Sequence, residues 1–296
     1  MSKATSRSSS ILIACCCAAI ARAAAFSWDA EAQLWLPDVV STAQSEVRIT
    51  FTPDGERMLW GAIDWPKGAG GWDIYESVRT ADGWTPPKSV AFNSAANDFD
   101  PSFAPDGSGV YFFSNRAGGF GKDDIYFAAF DREGGRYGRA VNLGDTINTS
   151  GEEWAPVVSS DGMRLMFASD GHGGEGKHDL FIAQRIGERW GNVTNLAALN
   201  SAEEDFDAAF LHDGQSIVFS RGTFDGLVHL FLAEFRAGAW QSPVRLSDAI
   251  NSIEPDAWTF GPSISPHDPG ALYFTSRHAR HRGRADIYRI RYKGSP

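Results

Sequence analysis

The sequence predicts an all-β fold, a β-propeller built from four-stranded blades. Two observations support this prediction. A unit of about 50 residues recurs along the chain, and the 296 residues combine 31 glycines and 14 prolines with 20 phenylalanines and 10 tryptophans. Glycine and proline interrupt helices, and aromatic side chains favour strands. Four short strands cannot bury two apolar faces alone, so such units are expected to pack face to face around an axis.

An Asp-Gly turn marks each unit, and an apolar run typical of a hairpin strand follows it. The fifth copy is distorted to Pro266-His267-Asp268-Pro269-Gly270. A Gly-rich loop and then an Asp-Ile-Tyr-like triplet come next in every unit. The regular turns begin at Asp54, Asp106, Asp161 and Asp213, and the triplets begin at Asp73, Asp124, Asp179, His229 and Asp286.

The end of each of the first four units carries an aromatic residue and then an Asn-Ser/Thr pair. These features are typical of a fourth strand and of the loop that leads to the next unit. The aromatic residues are Trp84, Tyr137, Trp190 and Trp240, and the asparagines are Asn93, Asn148, Asn200 and Asn251.

The ring is expected to close through its N-terminal segment. The fifth unit ends at Tyr292 after its third strand, whereas residues 33–40, with Trp35, resemble the Trp-led fourth strands. A strand from this segment that completes the last blade removes the open sheet edges. Five blades are predicted, and six are the alternative if residues 26–45 hide a degenerate unit.

Residues 1–25 have the pattern of a signal peptide, and residues 26–296 are expected to form a single propeller domain. Lys3 and Arg7 precede an apolar run over 11–21, and small residues follow it. The run is shorter than the roughly 20 residues of a membrane span. We therefore expect a periplasmic or secreted protein with no membrane span; the alternative is a lipoprotein that begins at Cys15.

Charge and cysteine content narrow the function classes. The net charge of -10 disfavours nucleic-acid binding, which needs a positive surface. All three cysteines lie within residues 1–25, so the mature domain has no thiol chemistry and no disulfide.

The recurring strand, Pro-Asp-Gly turn and Asp-Ile-Tyr triplet resemble the TolB-type propeller repeat, as in the stretch from Ser102 to Tyr126. The segment from Asn142 to Gly174 is similar to repeats of exported bacterial proteins of the cell envelope. The resemblance covers about residues 45–292. It implies a propeller class that includes periplasmic scaffolds, peptidase accessory domains and a few sugar-acid lyases, so it does not define one function.

Residues that recur in nearly every unit are interpreted as architecture. The triplet aspartates, such as Asp124, are expected to accept bonds from backbone N–H groups at a turn. A second column of acids lies at the entry to each innermost strand. Its carboxylates can form a ring that holds a divalent cation such as calcium, or each can accept hydrogen bonds at its blade boundary. The column comprises Glu46, Asp98, Glu153, Asp205 and, in the shifted fifth unit, Asp256.

Departures from the repeat are the candidate functional residues. In the third unit, His172 and His178 lie with Asp170 in one loop that can ligate a transition metal. In the fifth unit a basic run suits an anionic ligand, and aromatic residues of the first two units can stack on sugars or anchor a partner. These ligand-binding candidates are Arg277, Arg280, Arg282, Arg284, Trp65 and Phe120.

No Gly-x-Ser-x-Gly, His-Glu-x-x-His or phosphate-binding Gly-Lys-Ser/Thr motif occurs in the sequence. The leading expectation is therefore a non-enzymatic module of the cell envelope that binds an envelope or secreted protein, or an acidic glycan. The alternative is a metal-assisted lyase or hydrolase that acts on an acidic saccharide through Asp170, His172 and His178, with the arginine loop holding the carboxylate.

Overall fold

A computed structural model describes residues 26–66, 68–223, 225–252, 258–277 and 283–294. The predicted signal peptide lies outside the described residues. Within them the protein is all-β, and five antiparallel sheets form a five-bladed propeller, which confirms the predicted fold and the predicted number of blades. In this part of the chain no helix is long and apolar enough to cross a membrane.

The first three blades are antiparallel meanders that run outward from an innermost strand, and two short strands precede them. β3 to β7 form the first blade, β8 to β11 the second and β12 to β15 the third. In chain order the strands are β1 (Phe26–Trp28), β2 (Gln33–Leu34), β3 (Ser45–Phe51), β4 (Arg57–Ile63), β5 (Trp72–Thr80), β6 (Gly83–Trp84), β7 (Lys88–Ser89), β8 (Asp98–Phe103), β9 (Gly109–Ser114), β10 (Asp124–Asp131), β11 (Arg136–Asn142), β12 (Glu153–Val158), β13 (Arg164–Ser169), β14 (Asp179–Ile186) and β15 (Arg189–Asn195).

The last two blades show one insertion and the ring closure. The fourth blade pairs in the order β16-β17-β18-β21, and β19 and β20 form a separate small hairpin. The fifth blade consists of β22, β23 and β24. Its strands and those of the fourth blade are β16 (Glu204–Phe210), β17 (Ile217–Gly222), β18 (Val228–Ala233), β19 (Phe235–Arg236), β20 (Ala239–Trp240), β21 (Val244–Arg245), β22 (Thr259–Ser265), β23 (Asp268–Ser276) and β24 (Asp286–Gly294).

Two N-terminal strands complete the fifth blade, which confirms the predicted closure. Phe26 pairs with Gly294 in the register of β1 with β24, and Leu34 pairs with Tyr288 in the register of β2 with β24. Buried Phe26 packs on Tyr292 at 5.9 Å between ring centroids. The first and last described segments of the chain are therefore neighbours in one sheet.

The apolar core lies between the blades. The innermost strands contact one another in a closed cycle, β3-β8-β12-β16-β22-β3. Buried side chains from adjacent sheets fill the wedge between them; Leu59 and Ile74 of the first blade, for example, pack in one cluster with Phe112 of the second. Each blade thus buries both faces, as the period of the repeat requires.

Every innermost strand has a β-bulge at the same position. The pairing register shifts there in all five blades, and the backbone at the bulge adopts a positive φ. The bulged residues are Arg48, Asp100, Ala155, Asp207 and Gly261, with φ of 45°, 49°, 51°, 45° and 59°.

These bulges create a polar layer at the axis. Arg48 pairs with Asp207 at 3.5 Å and donates to the carbonyl groups of Pro156 and Ala208. Asp207 also accepts a bond of 3.1 Å from the Gly261 N–H. On one side of this layer, apolar side chains that directly precede the bulges pack together and cover it, among them Val47, Phe99 and Phe206.

Removal of residues 26–35 should lower the melting temperature by at least about 10 °C, because it exposes the edge of β24 and the cluster around Tyr292. Thermal unfolding followed by circular dichroism measures this. The matched control is Val244→Ala, which truncates a 64% exposed side chain on the outermost strand of the fourth blade and should change stability by less than about 1 kcal/mol. A truncated protein that melts like the parent would show that the closure does not stabilise the ring.

Candidate functional site

The loops between the second and third strands of the blades share one face of the propeller, here called the upper face. Antiparallel pairing places the start of each innermost strand on this face too, as Asp98 and Asp124 both pair with Ser114. The Asp-Gly turns lie on the opposite, lower face. The loops and strand starts that carry the candidate residues therefore share the upper face.

The repeated aspartates hold the upper loops. Asp124 accepts bonds from the N–H groups of Phe120 at 2.6 Å and Gly121 at 3.0 Å, and from the Asn142 side chain at 2.8 Å. Asp73, Asp179 and Asp286 accept equivalent backbone bonds from Gly70, Gly176 and Gly283. This confirms the predicted turn-capping role.

The repeated asparagines join each blade to the next connection. The side-chain carbonyl of Asn148 accepts from the Ile125 N–H at 2.7 Å, and its amide donates to the Ile125 carbonyl at 3.0 Å. The same two-way contact joins Asn93 to Ile74, Asn200 to Leu180 and Asn251 to Leu230. These residues are architectural.

The acids of the column each accept hydrogen bonds from the connection that leads into their own innermost strand. Glu153 accepts bonds from the Thr149 N–H at 2.8 Å and the Thr149 hydroxyl at 2.6 Å. Glu46, Asp98 and Asp205 accept the same pair of bonds from Thr42, Ser94 and Ser201, and the two aspartates also pair with Arg116 and Arg221. Across the described part of the chain these acids do not bring their oxygens together as a ligand set; Asp256 lies outside the described residues.

Burial changes the proton affinity of this column. It raises the pKa of Glu46 from 4.5 to about 7, against the opposing hydrogen bonds of Thr42. Burial also raises the pKa of Glu153 and Asp205. Part of the column therefore keeps its protons above the pH at which an exposed carboxylic acid loses them.

The carboxylate pair at the axis does not have the geometry of a glycosidase. Burial and then the charge of Asp207 raise the pKa of Asp100 well above its ordinary value, and burial raises the pKa of Asp207 against the charge of Arg48, so the two side chains share a proton. The two side chains are in direct contact, whereas the paired carboxylates of glycosidases are about 5–9.5 Å apart. With Arg48 beside them, they form a structural centre.

The third-blade loop separates its two histidines. His172 Nε2 lies 2.8 Å from the Ile147 carbonyl, and its ring packs on Phe181. His178 stacks on Trp154 instead, with ring centroids 3.7 Å apart. Ligand atoms of Asp170, His178 and Glu152 lie within 4.8 Å of one another.

Sequence reasoning missed Glu152 in this group. It directly precedes the repeated acid Glu153, and this acidic doublet was the available signal. Burial lowers the pKa of His178, while the charges of Asp170, Glu204 and Glu152 act in the opposite direction. The pKa of His178 is lowered overall, which favours a neutral imidazole.

A cavity of about 600 Å³ opens on the upper face between the fourth, fifth and first blades. It is here called the upper cavity. Its wall combines Trp258 and Phe260 with the predicted residues Arg277 and Arg284, and Asp225 is the single carboxylate among its described lining residues. Trp258 is 37% exposed, and its Nε1 donates to the Gly226 carbonyl at 3.1 Å. Arg280 and Arg282 lie outside the described residues.

The two aromatic candidates lie away from this cavity. Trp65 packs on Tyr75 at 4.6 Å, and its Nε1 donates to Glu46 at 3.2 Å. Phe120 is 52% exposed on the upper loop of the second blade. Trp258 and Phe260, which sequence reasoning missed, line the cavity instead, because the start of β22 faces the loops of two other blades.

No family model and no curated protein matches this chain. Solved structures do. An alpha-L-arabinofuranosidase from Lactobacillus brevis is 13% identical over 86% of this chain and 93% of its own, with a TM-score of 0.57. A thermostable family-43 glycoside hydrolase is 12% identical over 87% and 91%, with a TM-score of 0.54. TolB from Acinetobacter baumannii is 16% identical over 83% and 54%, with a TM-score of 0.51, so this chain spans about half of that protein.

These likenesses define a shared propeller fold. They also correct the leading expectation from the sequence, which was a non-enzymatic binding module. Glycoside hydrolases share this fold over most of both chains, and the alternative of a hydrolase fits these findings at least as well. The absence of familiar catalytic motifs was the wrong ground for preferring a binding module, because a catalytic site can be assembled from loops of several blades.

Asp124→Ala should lower the free energy of unfolding by about 2–3 kcal/mol, because the part-buried N–H groups of Phe120 and Gly121 and the Asn142 amide lose a charged acceptor. Urea titration measures the loss. Asp145→Ala, at an exposed turn of the same blade, is the control and should change stability by less than about 0.5 kcal/mol. Equal effects for the two variants would contradict the capping role.

Glu46 should make the protein less stable as the pH rises from about 4.5 to about 7. The unfolded chain releases this proton near 4.5 and the folded chain near 7, so the free energy of unfolding falls across this window by up to about 3 kcal/mol. Glu46→Gln should remove this part of the fall in urea titrations at about pH 5 and about pH 8, whereas Glu133→Gln, at an exposed position, should retain it. Parallel pH profiles for the parent and Glu46→Gln would disprove the assignment.

Proposed function

We propose that this protein is a hydrolase that acts on an acidic saccharide bound in the upper cavity. The observation that carries the proposal is the combination of an aromatic wall with two arginines in one concave site. Aromatic faces stack on sugar rings, and guanidinium groups bind carboxylates with directional, charge-assisted hydrogen bonds. A uronate residue presents both of these chemical features.

The arginines distinguish an acidic from a neutral substrate. Arg284 is exposed at the mouth of the cavity, and Arg277 lies on the same wall at the end of β23. The protein as a whole is acidic, with a net charge of -10. The positive charge of the arginines attracts an anionic group to this site, whereas the negative surface around it repels anions elsewhere.

Asp225 is the proposed proton donor to the leaving oxygen. Hydrolysis of a glycosidic bond needs such a group within reach of the bond, and this carboxylate lies in the cavity wall. Glu152, Asp170 and His178 on the same face are the residues that would hold a metal ion, and such an ion would supply the chemistry of an activated water at neutral pH. The axial pair of Asp100 and Asp207 takes no part.

Export is part of this proposal. The signal-peptide pattern of residues 1–25 supports a periplasmic or secreted location, where an enzyme meets polysaccharides of the cell envelope or the surroundings. We also propose that the repeats are of the TolB type, which the spacing of the Pro-Asp-Gly turns and Asp-Ile-Tyr triplets supports.

The purified protein should release reducing ends from acidic polysaccharides such as polygalacturonate or alginate, and not from neutral arabinan or xylan. Arg284→Ala should raise KM at least about tenfold through the lost charged hydrogen bonds, and Asp225→Asn should lower kcat by about a hundredfold or more. Arg139→Ala removes an exposed arginine from the outer strand of the second blade and should leave both constants unchanged.

Two results would overturn this function. One is the lack of turnover on every acidic polymer, and the other is an Arg284→Ala variant with the kinetics of the parent. Unsaturated products that absorb ultraviolet light would show that the protein catalyses elimination, the lyase reaction, rather than hydrolysis. The proposal of an acidic substrate would then be unchanged.

A further inference from the structure

A buried histidine in the third blade has both ring nitrogens without a hydrogen-bond partner. His178 is 5% exposed. Its Nε2 lies 3.5 Å from Glu152 Oε2, and its Nδ1 lies 3.5 Å from Glu204 Oε2, in orientations that make no hydrogen bond. A buried polar atom without a partner costs about 1–3 kcal/mol, so a ligand that takes up the imidazole lone pair stabilises this arrangement.

Two carboxylates complete a set of possible ligands. One atom each from Glu152, Asp170 and His178 lies within 4.8 Å of the others. Glu152 Oε1 binds Lys122 at 3.1 Å, and Asp170 Oδ1 accepts the Glu152 N–H at 2.7 Å. One oxygen of each carboxylate is used in these bonds, and the second remains for coordination.

The imidazole is fixed before any ligand binds. Its ring stacks on Trp154 with an interplanar angle of 19°, and the Trp154 Nε1 donates to Asp123 at 2.9 Å. The corresponding positions of the other blades hold Trp72, Asp123, Val228 and Ala285. Of the five blades only the third has a histidine at this position, and a side chain held in place by its neighbours is what a ligand site needs.

We propose that Glu152, Asp170 and His178 bind one divalent transition-metal ion, zinc or manganese. A set of one imidazole nitrogen and two carboxylate oxygens suits these ions and disfavours copper(I), which selects sulfur ligands. Three protein ligands leave a coordination position for water, as in catalytic zinc sites. This inference rests on the proposed hydrolase only for the use of the ion in catalysis, because binding of the metal requires neither the upper cavity nor a substrate.

Isothermal titration calorimetry of the intact protein with zinc chloride, and separately with manganese chloride, tests the site without a saccharide. One ion should bind per chain to the parent protein and raise its melting temperature. Glu152→Gln and Asp170→Asn keep the shape of each side chain and should weaken binding at least about tenfold. His178→Phe keeps a ring on Trp154 and should abolish binding.

Two controls separate a built site from general attraction to acidic loops. Glu175→Gln removes an exposed carboxylate from the same loop and should bind metal as the parent does. Arg284→Ala should also bind it normally, so that loss of saccharide turnover and loss of metal binding are distinguishable. If His178→Phe does not fold, Glu152→Gln and Asp170→Asn still decide the question.

Three outcomes would overturn the proposal: no heat of binding with either metal, binding that all three ligand variants retain, or binding that Glu175→Gln weakens equally. In the first case His178 is a buried histidine that stacking on Trp154 holds in place without a ligand.

Discussion

The bulge in each innermost strand is the constraint on which the propeller depends. Four of the five bulged residues carry a side chain in a left-handed conformation, which costs about 1–2 kcal/mol each. The bulge turns these side chains to the axis. There Arg48 reaches carbonyl groups of the third and fourth blades, while Asp207 accepts a bond from the fifth and, through the proton that it shares with Asp100, contacts the second. One charged centre therefore joins all five blades.

A buried charged centre is weak evidence for stability, because well-packed apolar residues often replace such a centre at no cost. Its value here is geometric, since contacts with the third and fourth blades fix the position of the Arg48 side chain as packing alone would not. The apolar residues next to the bulges separate this centre from the upper face. The candidate residues of the upper face therefore lie across an apolar layer from the charged centre.

The period of the repeat was enough to predict the fold, the number of blades and the N-terminal closure, because each depends on sequence-local turns and on the need to cover a sheet edge. The bulges could not be predicted, since Arg48 and Ala155 are not residue types that favour a positive φ. The upper cavity could not be predicted from the sequence for another reason. It joins Trp258 to Asp225 and Ser45, residues of three blades whose contact depends on closure of the whole ring. The arginines were recognised because a basic run is visible in the sequence itself.

On the upper face, the residue that directly precedes the repeated triplet differs from blade to blade. In the second blade Asp123 is satisfied by Trp154, and in the first Trp72 covers Phe99 at 4.9 Å. The same position in the third blade is His178, whose nitrogens are not satisfied. Trp154, which supports this histidine, packs against the same apolar cluster as Phe260 of the upper cavity. The proposed metal ligands and the upper cavity thus adjoin one apolar cluster, through Trp154 on one side and Phe260 on the other.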